Sequence, residues 1–390
     1  MRPRQPLRRL APLLLITPLF PPAQGGLPDH TDHLAQALTA HFDVAVLTSP
    51  GADTARAYRV HARVEHWGKA SVVMDHVERV APAGPLVWEY VPHMYGRGGV
   101  NLVVPRVLRE LKRRGRRQLV LAHEIRAPFS WWPHRSWYAL AHRLMWRGVL
   151  AAADSIGVST GGWLEQLERE GVAPGRMFLA PSPSNVPVLP VEAGHAAKWR
   201  ESVGLGGARG VVGFFGMLGS NKQFDWVLAA WRAVRRVEPA TALVVIGGRP
   251  SVTLAPGEEP WFCPLGYLRA TESSPILQAI DLLLLPFSDG VSERRSSFMT
   301  ALAHGLPVLA TIGPATGREL RASDCYEGVD GPAEAFAAAA ANLMAAPERR
   351  RELGARAVRH YRAVYDWPVL ATMLRDRVAG MEAGAPPRSR

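Results

Sequence analysis

Cysteine is nearly absent from this 390-residue chain, with Cys263 and Cys325 its only two. Two thiols exclude a disulfide framework, and no CxxC or Cys/His spacing supplies a zinc site, so they read as reduced thiols. Lysine is also scarce, confined to Lys69, Lys112, Lys198 and Lys222, although the formal net charge is +12. The charge is therefore arginine charge, and the skew beside abundant Ala, Gly and Pro reads partly as GC-rich coding. Several motifs are missing too. Without GxGxxG a nicotinamide or flavin cofactor is not expected, and without Walker A neither is a P-loop NTPase. No Asp-x-Asp pair is present to hold a metal, and His123-Glu124 is not followed by the second histidine of a zincin helix. No zinc finger, RNP motif or long basic helix turns the positive charge into a nucleic-acid reader. No run approaches the roughly 20 apolar residues of a membrane-spanning helix.

What is present is alternation. Arg2, Arg4, Arg8 and Arg9 followed by LAPLLLITPLFPPA imitate a signal peptide, but Pro12, Pro18, Pro21 and Pro22 interrupt the apolar run. Leu13–Thr17 reads better as a buried first strand, followed by a Gly25-Gly26 loop and a helix capped by Asp29 or Thr31. His30 and His33 beside Asp29 and Asp32 read as surface polar residues without a third metal ligand. Strands follow at 44–48, 86–91, 118–121, 155–159 and 177–180, with helices at 101–111, 137–152 and from Trp163. Residues 182–210, rich in Pro, Gly and Ser, read as a connector with a short helix. The pattern restarts with strands at 211–215, 243–246, 281–286 and 306–311. Helices are expected at 224–237, 297–303 and 333–345 and from Pro347.

Two successive βα blocks imply an α/β protein of two doubly wound, Rossmann-like lobes, with ligand loops at the carboxyl ends of the strands. The first lobe is expected over 1–187 and the second over 188–362. A helix over 363–382 is expected to cross back to the first lobe, and a disordered tail to follow over 383–390.

Three segments could carry chemistry. Gly157-Val158-Ser159-Thr160-Gly161 matches GxSxG between a strand and a helix, so Ser159 with Asp281 and His304 or His360 would make a serine hydrolase. No HGG-type oxyanion loop accompanies it. Val211–Lys222 (VVGFFGMLGSNK) is a strand, a glycine turn and a helix start. Gly216 and Gly219 let backbone approach a phosphate, the helix amides face it, and Lys222 adds charge. The loop Asp289–Arg295 ends a buried strand, and Arg294 and Arg295 suit a diphosphate. Glu293 could accept hydrogen bonds from sugar or ribose hydroxyls. The run Arg109–Arg117 (RELKRRGRR) reads as a solvated helix end or an anionic-surface contact.

The segments PPAQGGLPDHT, LVLAHE, FFGMLGSNK and DGVSERRSSFMTALAHGLPVLAT together resemble the GT-B glycosyltransferases of the family-4 type, across nearly the whole chain. The resemblance implies a retaining, metal-independent transferase with its site in the cleft between the lobes. It needs no cofactor beyond a nucleotide-sugar co-substrate. It implies that Gly25 and Gly26 approach the donor phosphates and that His123 lies beside the donor sugar. Lys222 would contact the diphosphate beside Gly216, and Gly290, Ser292, Glu293, Arg294 and Arg295 would wrap sugar and phosphates. Thr300 and Gly266 would fall near ribose and base. Alignment through Ala303-His304-Gly305 sets Ser292 and Thr300 where the family carries paired glutamates, and Met217 where it carries a cation. The acceptor would be a glycan or lipid-linked hydroxyl in polysaccharide biosynthesis. The setting would be cytoplasmic, with peripheral contact at an anionic membrane face. The loss at Thr300 also motivates a different class, a non-catalytic nucleotide-sugar-binding or scaffold protein.

Overall fold

The computed structural model describes residues 10–23, 25–96, 99–126, 131, 133–219 and 221–383. The arginines at positions 2, 4, 8 and 9 and all of the expected tail beyond Ala383 lie outside the described residues. The chain divides into two compact units. One takes in the described residues up to Ser159, Trp163–Ala180 and those from Trp367 onward; the other holds Thr160–Gly162 and Pro181–Asp366.

The first unit contains β1 (Ala11–Ile16), α1 (Gly26–Leu38), β2 (Phe42–Thr48), β3 (Arg59–Ala62), α2 (Ala70–Val80), β4 (Leu86–Tyr90) and α3 (Val103–Arg113). It continues through β5 (Gln118–Ala122), α4 (Pro133–Ala152), β6 (Ser155–Val158), α5 (Gly161–Arg169) and β7 (Met177–Leu179). All seven strands pair in parallel, in the order β3-β2-β1-β4-β5-β6-β7. β1, β4 and β5 are apolar almost throughout because both faces of the sheet are covered. Leu14, Trp88, Val120 and Trp146 pack on one side, and Leu13, Leu15, Val87 and Leu121 on the other.

The second unit contains α6 (His195–Ser202), β8 (Gly210–Phe215), α7 (Phe224–Val237), β9 (Thr241–Ile246), β10 (Phe262–Gly266), α8 (Ala270–Leu277) and β11 (Leu282–Leu285). There follow α9 (Ser296–Ala303), β12 (Val308–Thr311), α10 (Arg318–Ala322), β13 (Glu327–Val329), α11 (Ala333–Ala345) and α12 (Pro347–His360). Its six strands are again all parallel, in the order β10-β9-β8-β11-β12-β13. The last helix, α13 (Trp367–Glu382), packs against α1 and buries Leu370, Leu374 and Val378 in the first unit's core.

Each sheet reverses strand order once, between β1 and β4 and between β8 and β11. That reversal opens a crevice outside the carboxyl ends of the strands, where doubly wound sheets bind ligands. The two Rossmann-like sheets read from the sequence are thus present, with local differences. α1 begins at Gly26 rather than after an Asp29 or Thr31 cap. Gly25, at φ 141°, is its N-cap residue, and Thr31 is buried with its hydroxyl donating to the Leu27 carbonyl at 3.1 Å. The first amide of α3 is met from before its N-cap, Leu102, by a residue the sequence reading placed inside the helix: Asn101 Oδ1 accepts from the Val103 amide at 2.8 Å. β3, α2, β10, α8, α10 and β13 were not expected.

Candidate functional site

In the second unit the loops after β8 and β11 meet at the switch point. They are zipped by an isolated antiparallel bridge between Lys222 and Phe287. The Gln223 amide donates to the Pro286 carbonyl at 3.0 Å and the Ser288 amide to the Asn221 carbonyl at 3.0 Å. This pairing sets the Lys222 ammonium 5.3 Å from the Phe214 ring centre and 5.6 Å from that of Phe287. Arg295 stands 4.6 Å over the same Phe287 ring and is ion-paired with Asp289. Burial, and next the charge on Arg295, pull the Lys222 pKa down to about 8. Aromatic faces offer a cation modest compensation, about 0.5–2 kcal/mol, so an anion placed here gains both charges.

Gly216 makes the approach possible. It lies at φ 127°, and a Cβ there would collide with Lys222 Nζ. Gly290, at φ 86°, is equally constrained, since a Cβ would run into the Gly313 backbone. Gly266, at φ 73°, ends β10 and accepts a 2.7 Å hydrogen bond from the Gly247 amide.

Of the other expected residues of this unit, Ser292, Glu293 and Thr300 are turned inward. Ser292 is buried, and its hydroxyl has no hydrogen-bond partner among the described residues. Glu293 is also buried, and Oε2 accepts from the Gly161 amide at 3.2 Å. Thr300 is buried in α9, with its hydroxyl 3.1 Å from that of Ser184. Arg294 is half-buried.

In the first unit His123 follows β5. Its Nε2 lies 2.5 Å from Glu89 Oε2, and its amide donates to the Tyr90 carbonyl at 3.0 Å. Glu89 lies on β4 and is fully buried. His30, on α1, approaches Glu89 Oε1 with Nδ1 at 3.7 Å and stands edge-on to His123 with ring centres 4.6 Å apart. Burial alone would raise the Glu89 pKa, but His123 and then His30 outweigh it and hold the carboxyl at about 2. Burial lowers that of His30. His30 is therefore a buried member of an ionic cluster and not the surface residue expected. Glu89 was not anticipated at all. Its signal was a lone acid inside the apolar strand LVWEY. The ligand atoms of His30, Glu89 and His123 all lie within 4.8 Å of one another, so the trio has the chemistry to hold a divalent metal.

Ser159 does not meet a base: its hydroxyl donates to the His123 main-chain carbonyl at 3.2 Å. Asp281 instead pairs with Arg200 and accepts from the Val211 amide, while His304 Nε2 faces the Ser274 hydroxyl at 2.9 Å. The basic run is also largely compensated. Arg114 pairs with Glu78 and Glu110, Arg113 with Glu110, and Lys112 and Arg117 with Asp154.

Two parallel sheets of this strand order, each with polar side chains at its switch point, define the GT-B type of fold. Within it, residues 209–346 match the family described as glycosyl transferases group 1, so the second unit is a glycosyltransferase group 1 domain. Solved structures agree across nearly the whole chain. WaaG, a glycosyltransferase involved in lipopolysaccharide biosynthesis, is 16% identical with a TM-score of 0.64, covering 94% of this chain and 100% of its own. Anabaena HepE, in complex with UDP and glucose, is 12% identical with a TM-score of 0.67, covering 95% and 100%. A putative UDP-N-acetylglucosamine 2-epimerase from Listeria monocytogenes has the same fold at 14% identity and a TM-score of 0.61, covering 98% and 99%. No curated protein matches the chain in sequence. Among the described residues no helix is long and apolar enough to cross a membrane.

Proposed function

We propose that this chain transfers a sugar from a nucleotide-sugar donor to a hydroxyl of a glycan or lipid-linked acceptor, without a metal and with retention at the transferred carbon. The observation that carries this reading is the pair of cations, Lys222 and Arg295, brought to one aromatic ring at the switch point of a glycosyltransferase group 1 domain. In transfer the departing diphosphate gains charge as the glycosidic bond breaks. Donors already fixed around that position lower the barrier without reorganising. Lys222, Arg295 and the amides at the start of α9 fill that role, with the backbone admitted by Gly216 and Gly290. His123, oriented by Glu89, sits beside the donor sugar. The family resemblance is what assigns Gly25 and Gly26 to the donor phosphates and Gly266 and Thr300 to the vicinity of ribose and base. UDP-sugars are the first donors to try, because HepE binds UDP and UDP-glucose at a similar fold. The working place is the cytoplasmic face of a membrane, in polysaccharide assembly.

One observation favours a second reading, a nucleotide-sugar-binding scaffold without turnover. Thr300, standing where the family carries a glutamate, is buried against Ser184. A thermal-shift panel of nucleoside diphosphates followed by donor-hydrolysis and transfer assays decides between them. Turnover that persists with EDTA supports the transferase. Binding with no hydrolysis or transfer across acceptors supports the scaffold, and no binding of any nucleotide removes both.

A further inference from the structure

His30 and Glu89 face each other across a gap that fits neither a direct hydrogen bond nor a bridging water. His30 Nδ1 lies 3.7 Å from Glu89 Oε1, and the two side chains are 5% and 0% exposed. A direct hydrogen bond would need about 2.7–3.2 Å. A water bonded to both at such lengths, with its near-tetrahedral angle, would hold them roughly 4.5 Å apart. Neither ring nitrogen of His30 nor Glu89 Oε1 has a hydrogen-bond partner among the described residues. Buried atoms left unmet in this way carry their full desolvation penalty. His123 Nε2, 2.5 Å from the other Glu89 oxygen, brings a third donor atom to the same point. A hydrogen bond to Glu89 accounts for the place of His123, but nothing of the kind accounts for His30.

We propose that His30 Nδ1, Glu89 and His123 Nε2 form a site for Zn²⁺, and that the ion switches the protein off instead of serving it as a cofactor. The three ligand atoms lie within 4.8 Å of one another, so a point exists within about 2.8 Å of them all. Zinc bonds of roughly 2.0–2.2 Å then ask each side chain to close in by about 0.7 Å. Four-coordinate zinc sets its ligands ~3.3 Å apart. The 3.7 Å between His30 and Glu89 is near that value. Two imidazoles and one carboxylate suit zinc, whereas Mg²⁺ and Ca²⁺ are held by oxygen shells. Binding is an exchange: the cation replaces the proton shared by His123 Nε2 and Glu89 Oε2, which leaves to solvent. His123, at 14% the most exposed of the three, gives the ion its way in. With Nε2 committed to zinc, His123 is withdrawn from the donor sugar. That inhibitory consequence rests on the reading above, but the site itself does not.

The test takes the full chain, stripped with EDTA and desalted, and titrates it with Co²⁺ as a visible probe and with Zn²⁺ against a chromogenic chelator. The expected result is one equivalent of either metal, with the intense visible bands of low-coordinate cobalt. His30→Gln should weaken zinc binding about 100-fold or more. His33→Gln, which removes the exposed histidine further along α1, should bind as the wild type does. X-ray absorption of the zinc-loaded wild type, which depends on no variant folding, should show a nitrogen and oxygen shell with two imidazoles. A wild type that binds neither metal, equal zinc affinity in His30→Gln, or sulfur in the zinc shell overturns the proposal. In donor-hydrolysis assays zinc should inhibit the wild type, EDTA should restore it, and His30→Gln should need about 100-fold more zinc. Zinc bound at this site with turnover undiminished overturns the switch. A chain that binds zinc as described but turns over no donor, with or without EDTA, upholds the site and removes the proposed activity instead.

Discussion

Replacing Lys222 by methionine pulls apart two quantities that usually move together. The ammonium is held between two aromatic rings, near Arg295, at a cost that brings its pKa down to about 8. Keeping it charged at pH 7 opposes folding by roughly 1–3 kcal/mol after allowing for partial solvent access. Methionine fills similar space without the charge, so the ligand-free variant should melt about 3–8 °C higher. Binding should go the other way. A charge-assisted hydrogen bond to a phosphate contributes about 1.5–3 kcal/mol, so the dissociation constant for a nucleoside diphosphate should rise roughly 10- to 150-fold. At a concentration 100 times the wild-type constant, ligand stabilises the wild type by ~2.7 kcal/mol, but a 100-fold weaker variant by only ~0.4 kcal/mol. Differential scanning fluorimetry with and without UDP reads both numbers in one plate. A variant with wild-type UDP response would refute the placement of Lys222 at the diphosphate. A ligand-free melting point that falls would refute the charge-strain argument.

Because the Lys222 ammonium loses its proton near pH 8, UDP affinity should fall as pH rises through that value; titration calorimetry at pH 7 and 9 checks this. In the first unit the two shifted groups of the buried cluster, His30 and Glu89, act in one direction on acidification. The unfolded chain takes up a proton at His30 below about pH 6.5, and at Glu89 below about pH 4.5, before the folded chain does. Stability should decline in those two windows, and Glu89→Gln should shrink the decline in the lower one while reducing turnover; melting curves from pH 7 to 3 report it. Gly216→Ala should destabilise by about 1–3 kcal/mol in denaturant and weaken UDP binding. Gly219→Ala, whose Cβ would come no nearer than 3.5 Å to Asn221 Oδ1, should be close to neutral in the same assays. Ser159→Ala should leave donor hydrolysis unchanged.

Elements with a strong period were legible to the residue. The spacing of Val227, Trp231 and Val234 fixes α7 at Phe224–Val237, and the alanine run fixes α11 at Ala333–Ala345. α2 also announces itself through Val73, Met74 and Val77, and could have been read. The missed elements lack such a signal for physical reasons. β3 is a half-exposed edge strand of four residues, β10 contains Pro264, α8 contains Pro275, and β13 is three residues long. Among site residues, Lys222 and Arg294-Arg295 were visible because glycine turns and adjacent cations are local patterns. Which arginine stands beside Lys222 was not visible, since Arg295 is distinguished only by Phe287 and Asp289. The His30–Glu89–His123 cluster draws on α1, β4 and the end of β5, and no local pattern joins residues that far apart.

The return of α13 to α1 has a consequence for how the chain must be made. Everything from Pro181 to Asp366 is, in connectivity, an insertion within the first unit, whose core is closed by Leu370, Leu374 and Val378. On the ribosome, residues before 181 emerge with one face of their sheet covered by α1 but not yet by α13. They wait while some 180 residues are synthesised, about 10–40 s at ordinary elongation rates. The second unit can complete its own core in that interval, so the part of the protein made first is the last to be finished.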